Sequence, residues 1–204
     1  MQIVAKSFPL MLVVLMFSCQ KPKVNEAELG RYVSKENANG LYAETVESGY
    51  RFGLRYQPIE LLALSALPEG YSKSEYEAAL LAFAGSEHFV FAVSSEDGDT
   101  RRKAEAAWND DYDSVYNDLL FNQTARFELR ANGVAYPCSI CHLENDGGAR
   151  DAYTFVLGFQ VPADEPLAGD RTVVYRDNTF TNTKIALTIS GDAIDNIPNL
   201  SVKN

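Results

Sequence analysis

Arg126-Phe-Glu-Leu-Arg130-Ala-Asn132-Gly133-Val134-Ala-Tyr136-Pro-Cys138-Ser-Ile-Cys141-His142 is the stretch on which the fold turns. Its two arms, Arg126 to Arg130 and Val134 to about His142, alternate as strands with one face toward a core. Asn132-Gly133 between them is the strongest short hairpin signal, because both residues tolerate the positive φ that a tight two-residue turn requires. Downstream, Tyr153, Phe155, Leu157, Phe159 and Val161 fall on one face of a further strand. Arg171 to Arg176 and Lys184 to Ser190 continue the same period. Upstream, Leu41 to Val46 and Tyr50 to Tyr56 flank Glu47-Ser48-Gly49 as a second hairpin. Phe89 to Val93 is apolar throughout, as an internal strand would be.

Three helices are expected between these strands. Ile59 to Leu67 follows Pro58 and is stopped by Pro68-Glu-Gly70. Ser72 with Glu75 three places on forms a capping box, after which Tyr76, Ala79, Leu80 and Phe83 share a face and Gly85 closes the helix. Residues 101–121 place Ala104, Trp108, Tyr112, Val115, Tyr116 and Leu119 at helical spacing, an aromatic stripe that packs on the sheet. The class is therefore α+β: an antiparallel sheet or sandwich of about eight strands with three helices inserted, in a single domain over residues 40–204. No repeat of 20 to 50 residues occurs, which sets aside solenoids and propellers.

The chain has 204 residues, 18 Lys and Arg against 28 Asp and Glu, and a formal charge of −10. With no cluster of basic residues it lacks the electrostatic footprint of a nucleic-acid binder. Residues 1–18 have one Lys, at position 6, then ten uncharged residues from Phe8 to Phe17, and Ser18 before Cys19. That is the shape of an export signal, and the apolar run is half of what a bilayer span needs. Ser18-Cys19 resembles the lipobox of bacterial lipoproteins, with Met16 in place of the usual Leu. The resemblance implies cleavage before Cys19, acylation of its thiol, and attachment to the membrane through that lipid. Gln20 rather than Asp after the cysteine implies the outer membrane, at its periplasmic face or the cell surface. Residues 19–39 are polar and read as a tether, in which Ala27 to Val33 has the makings of one or two weak helical turns.

The chemistry-bearing side chains of the exported part are Cys138, Cys141, His142 and His88. Two cysteines three apart in an oxidising compartment form a local disulfide or an inert buried pair. Cys138-x-x-Cys141-His142 also has the spacing of c-type haem attachment, with His142 as proximal ligand and only His88 to serve as the second. Every Met lies at or before position 16, so none is left to ligate iron. The same four side chains include the right kinds for zinc, and Cys-x-x-Cys is the spacing of a redox dithiol. Asn109, Asp111 and Asp113 open like a calcium loop but lack its Gly and its final Glu. No Gly-x-Ser-x-Gly, phosphate loop or His-Glu-x-x-His occurs.

Asn39-Gly-Leu41, Arg55-Tyr-Gln-Pro58, His142-Leu-Glu-Asn145, Phe155-Val-Leu-Gly-Phe159, and the close from Val174-Tyr-Arg-Asp177 to Ile194-Asp-Asn-Ile-Pro198 resemble pieces of uncharacterised Bacteroidota-type lipoproteins. That resemblance implies no activity and no cofactor. The expectation is a membrane-anchored envelope lipoprotein with a non-enzymatic binding or assembly role and an envelope protein as partner. The alternative is a c-type haem or thiol-redox lipoprotein using Cys138, Cys141 and His142.

Overall fold

The computed structural model describes residues 21–34, 39–108, 111–144, 151–162 and 167–202. The export signal and Cys19 lie outside these residues. The chain forms β1 (Lys23–Val24), α1 (Glu26–Ser34), β2 (Tyr42–Glu47), β3 (Tyr50–Tyr56), α2 (Ile59–Ser65), α3 (Lys73–Phe83) and β4 (Ser86–Ser95). There follow α4 (Thr100–Trp108), α5 (Tyr112–Phe121), a 3₁₀ turn at Thr124–Arg126, β5 (Phe127–Ala131), β6 (Val134–Leu143), β7 (Tyr153–Gln160), β8 (Arg171–Arg176), β9 (Lys184–Ile189), α6 (Gly191–Asp195) and β10 (Asn199–Leu200). The class is α+β as expected, with six helices among the described residues rather than three.

The main sheet has eight strands in the order β2-β3-β4-β7-β6-β5-β8-β9, every neighbouring pair antiparallel. Its two edge strands, β2 and β9, come into contact, so the sheet curls into a nearly closed barrel. Both expected hairpins end in two-residue turns. Ser48 and Gly49 have φ of 52° and 76°, and Asn132 and Gly133 repeat those values. Two successive positive φ values match the twist of the flanking strands, which explains Gly at the second place of each turn.

Strand β6 is the hinge of the wrap. Its first part, Val134 to Pro137, pairs with β5, and its second, Cys138 to Leu143, pairs with β7. Between them the register shifts at Cys138/Ile140, a β-bulge that bends the strand from one half of the barrel into the other. The interior is aromatic: Phe52, Phe89, Phe91, Phe155, Phe159 and Tyr175 are fully buried. Phe127 stacks on Tyr175 at 4.6 Å, and Phe91 meets the same two rings at 5.1 and 5.2 Å.

Helices cover both the side and one end. The capping box of α3 forms as expected, with the Glu75 amide donating to Ser72 Oγ at 3.3 Å and the Ser72 amide to Glu75 Oε2 at 2.7 Å. Tyr76 on α3 packs with Ala63 and Leu64 of α2 in a small separate cluster. Over the expected helix 101–121 the described residues form two helices, α4 and α5. Buried Trp108 is the last residue of α4, where its ring lies 5.8 Å from Tyr153 and 6.1 Å from Phe180, and its indole N–H donates to the Thr179 carbonyl. The side chain of Tyr112 lies outside the described residues.

Residues 21–34, expected within a tether, are instead docked. Lys23 and Val24 pair in parallel with Asn199 and Leu200. The α1 helix opens on reciprocal bonds between Asn25 and Glu28, and its Leu29 and Val33, at 0% and 3% exposure, sit in the main core. Two apolar residues four apart define one helical face even in a polar stretch, and burying it stabilises the segment by roughly 1.5–3 kcal/mol per side chain.

Candidate functional site: a paired thiol and a buried ion pair

In an unbroken strand, residues three apart face opposite sides. The β6 bulge removes that constraint: Cys138 lies opposite Phe159 and Cys141 opposite Leu157, and both cysteines pack on the core. Cys138 is buried and Cys141 half-buried, and both are free thiols. The Cys138 thiol donates to the Ile140 carbonyl at 2.9 Å, so it turns along the strand into the bulge. Burial pushes the Cys138 thiol up to about 11. Burial, and then the neighbouring Cys138, push Cys141 up to about 12.

A thiol titrating near 11 has about 300-fold less thiolate at pH 7 than an ordinary cysteine. Native protein should therefore react with an aromatic disulfide reagent at least about 100-fold more slowly than protein unfolded in guanidinium. Native and unfolded rates that agree within a factor of ten would show that the thiols open to solvent. A reactive redox dithiol, which needs the opposite shift, does not fit these surroundings.

His142 follows Cys141 in the strand and is exposed on the outer side. His88 is buried on the outer side of β4, its ring edge-on to Phe83 of α3 at 5.8 Å. The bulge thus brings the two cysteines together and leaves both histidines across the sheet from them. A porphyrin joined to both sulfurs would need the space that Leu157 and Phe159 fill, and its iron would be out of reach of His142; the residues do not fit haem. Among the described residues no group of three or more His, Cys, Asp or Glu could hold a metal ion.

Ser86 Oγ lies 2.7 Å from His88 Nε2, the spacing of a nucleophile and its base. The proton bookkeeping excludes that role. Ser86 donates its only hydroxyl proton to the Phe83 carbonyl at 2.6 Å, so the Nε2–H must be the donor toward Ser86. Burial also holds His88 below the usual histidine range. The pair ties the end of α3 to the sheet.

A second cluster went unread in the sequence. Glu87, in phase with inward Phe89 and Phe91, and Arg171, in phase with inward Val173 and Tyr175, meet at one end of the barrel. Arg171 Nη2 lies 3.5 Å from Glu87 Oε1 and donates to the Leu167 carbonyl at 2.7 Å, while Nη1 donates to the Gly169 carbonyl. The Tyr56 hydroxyl donates to Glu87 as well. Burial raises Glu87 above the usual carboxylate range, against the lowering influence of Arg171 and Tyr56, and burial raises Tyr56. Glu87 Oε2 and Arg171 Nε are buried without a partner. Beside them opens a cleft of about 250 Å³ bordered by Lys21, Tyr56, Ile59, Glu60, Glu87 and Ile197. The backbone is crowded here too, since a Cβ at Gly191 would run into the Gly169 carbonyl. Arg171 stood at an inward position of an expected strand, but Glu87 lay ahead of the expected Phe89 to Val93, and only the longer β4 and tertiary pairing bring the two together.

Asp177, also buried, forms a turn. Its carboxylate accepts from the amides of Thr179, Phe180 and Thr181 at 2.8, 3.0 and 2.5 Å and from the Thr181 hydroxyl at 2.7 Å, which uses up its acceptor sites. Compared with known proteins, the chain matches no family model, no curated protein and no solved structure.

Proposed function

We propose that this chain is a lipid-anchored protein of the bacterial envelope, acylated on Cys19, whose folded body works by binding or assembly rather than by catalysis. The observation that carries the second half is the use to which its reactive side chains are put. Cys138 and Cys141 are protonated and half or fully buried, the Ser86 proton is committed to a carbonyl, and Glu87 faces Arg171 inside the barrel. The first half rests on residues 1–20 of the sequence. Acyl chains are the natural attachment for a body whose net charge, once Lys6 leaves with the signal, is −11 (17 Lys and Arg against 28 Asp and Glu), which anionic headgroups repel. Among the described residues no helix is long and apolar enough to cross a membrane.

Docking of the chain from Lys21 onward adds a consequence. With Cys19 acylated, two residues of lead span at most about 7 Å, so the end of the barrel carrying β1, β10 and the Glu87 cleft would stand against the bilayer. Residues after Gln20 leave no free tether for the body to swing on, and the opposite end, with Trp108 and Phe180, would face an envelope partner. The absence of Asp after Cys19 favours the outer membrane.

The test is metabolic labelling with an alkyne fatty acid in an exporting host, followed by membrane fractionation of the full-length chain and its Cys19→Ser variant. The expected result is a labelled wild type in the outer-membrane fraction and an unlabelled variant that is lost from it. An unlabelled wild type, or a variant that stays membrane-bound, would overturn the anchor. Recovery of an enzyme activity that survives purification and depends on Cys138 or His88 would overturn the binding role.

A further inference from the structure

We infer that the cleft at the Glu87 end of the barrel binds a primary ammonium, the head of a small aliphatic amine, seated against the Glu87 carboxylate with its carbon stem along Ile59, Ile194 and Ile197. Such a ligand serves the binding role proposed above, and the site rests on that role rather than on the lipid anchor. Glu87 is short of hydrogen bonds. An ionised carboxylate has about four acceptor sites and no donor. At Glu87 they meet one hydroxyl, from Tyr56, and one Arg171 nitrogen, Nη2, at 3.5 Å, too long for a good hydrogen bond. Arg171 spends its Nη donors on the Leu167 and Gly169 carbonyls instead. Glu87 Oε2 has no partner, although the residue is buried. A buried acceptor in that state is costly, and native structures supply such groups with a donor.

The cleft that Glu87 borders suits a donor of one kind. Its walls come from separate parts of the chain: Tyr56 ends β3, Ile59 and Glu60 open α2, Ile194 lies in α6, Ile197 precedes β10 and Lys21 precedes β1. Its volume of about 250 Å³ falls below the roughly 300 to 1,000 Å³ of sites for drug-sized molecules, so the ligand is smaller than those. Glu60 and Glu87 outnumber Lys21, which is exposed, so the charge of the wall favours a cation over an anion. A charge-assisted hydrogen bond is about twice as strong as a neutral one, which favours an ammonium over a hydroxyl. The three isoleucines leave apolar surface for a carbon stem. A primary ammonium brings three N–H donors on one compact centre, as the head of a lysine does. Its charge favours the ionised form of Glu87, against burial, which favours the protonated one. A free amine and the ethanolamine headgroup of a phospholipid both carry this group.

The test uses the full-length Cys19→Ser chain, which carries no acyl group, with its isoleucine δ1 methyls labelled for NMR. The probe is n-hexylamine, charged at neutral pH, against 1-hexanol, a neutral molecule of the same length. The expected result, which needs no variant, is a shift of the Ile59, Ile194 and Ile197 methyls and none at Ile140, which is exposed on the outer side of the sheet. The amine should bind at least about 10-fold more tightly than the alcohol. Glu87→Gln, which keeps the shape of the side chain, should erase that preference, with far-UV circular dichroism confirming that the variant folds. Co-sedimentation with vesicles of phosphatidylethanolamine and phosphatidylcholine, against phosphatidylcholine alone, separates the two sources. Preference for the first assigns the ammonium to a headgroup, and equal sedimentation assigns it to a free amine. Amine and alcohol affinities within about threefold of each other overturn the site. So does a preference that survives Glu87→Gln, or shifts that spare the three isoleucines. None of these results bears on the labelling of Cys19 or on an activity that depends on Cys138 or His88, so loss of this site is distinct from loss of the binding role.

Discussion

Replacing Arg171 with Met lowers stability at pH 7 by about 3 to 5 kcal/mol, because it leaves the Glu87 carboxylate buried without its cation. For a body of this size that is a fall in Tm of roughly 6 to 20 °C. Glu87 is 8% exposed, Arg171 is 5% exposed, and the second Glu87 oxygen already lacks a partner, so little solvent is at hand to compensate. The loss should depend on pH. The folded state raises Glu87 above the ordinary carboxyl value, so it holds that proton more tightly than the unfolded chain does. Stability linked to this group therefore grows as pH falls through the raised folded value, and is complete below the unfolded one. Arg171 opposes the rise in the wild type; without it the rise is larger and the window reaches higher pH. Thermal melts followed by circular dichroism from pH 8 to 5 should show the variant regaining stability on acidification while the wild type changes less. Changing Glu87 to Leu as well should recover most of the loss, since a buried pair replaced by apolar groups is often neutral. A cost under about 1 kcal/mol with no pH dependence would mean that Glu87 reaches water through the adjoining cleft.

Phe91→Ala should cost about 3 to 5 kcal/mol through lost burial and the cavity left behind. Phe91 is 1% exposed and lies within 5.1 to 6.4 Å of the rings of Phe127, Tyr175, Phe52 and Phe155, four neighbours fixed on four different strands. Strands that are hydrogen-bonded to one another cannot collapse into the void, which places the cost in the upper part of that range. The matched control is Phe121→Ala at the end of α5, where the ring is 75% exposed and the change should stay within about 0.5 kcal/mol. Urea unfolding of the two variants should separate their midpoints with little change in slope. Similar midpoints would mean that the barrel interior is loosely packed.

Much of the scaffold was legible before any coordinates. Period-two alternation in Tyr153 to Val161 identified Phe155, Leu157 and Phe159 as core, and each is fully buried. Asn132-Gly133 marked a turn that only two successive positive φ values can make, and Ser72 with Glu75 marked the first turn of α3. These are local signals, carried by residues within four positions of each other. Where the outcome depended on distant partners, the sequence was silent or misleading. Ala27 to Val33 offers at most a weak helical turn in a polar stretch until the main core takes up Leu29 and Val33.

The candidate chemistry divides the same way. Cys138, Cys141, His142 and His88 could be named from the sequence as the side chains able to bind soft metals or haem, because only their residue types were needed. Which of them share a side could not, because one bulge residue inverts the facing of everything beyond it in a strand. The bulge joins the two thiols and sends His142 outward. Glu87 lies ahead of the expected strand Phe89 to Val93 and Arg171 opens another, so neither was read as an inward charge, and only the longer β4 and barrel closure set them against one another. By itself the sequence determined the class of fold, its turns, its core face and its inventory of reactive groups, all consequences of backbone preference and period. The tertiary structure alone decided which of those groups meet, because strand register and closure are properties of pairs of segments rather than of either segment.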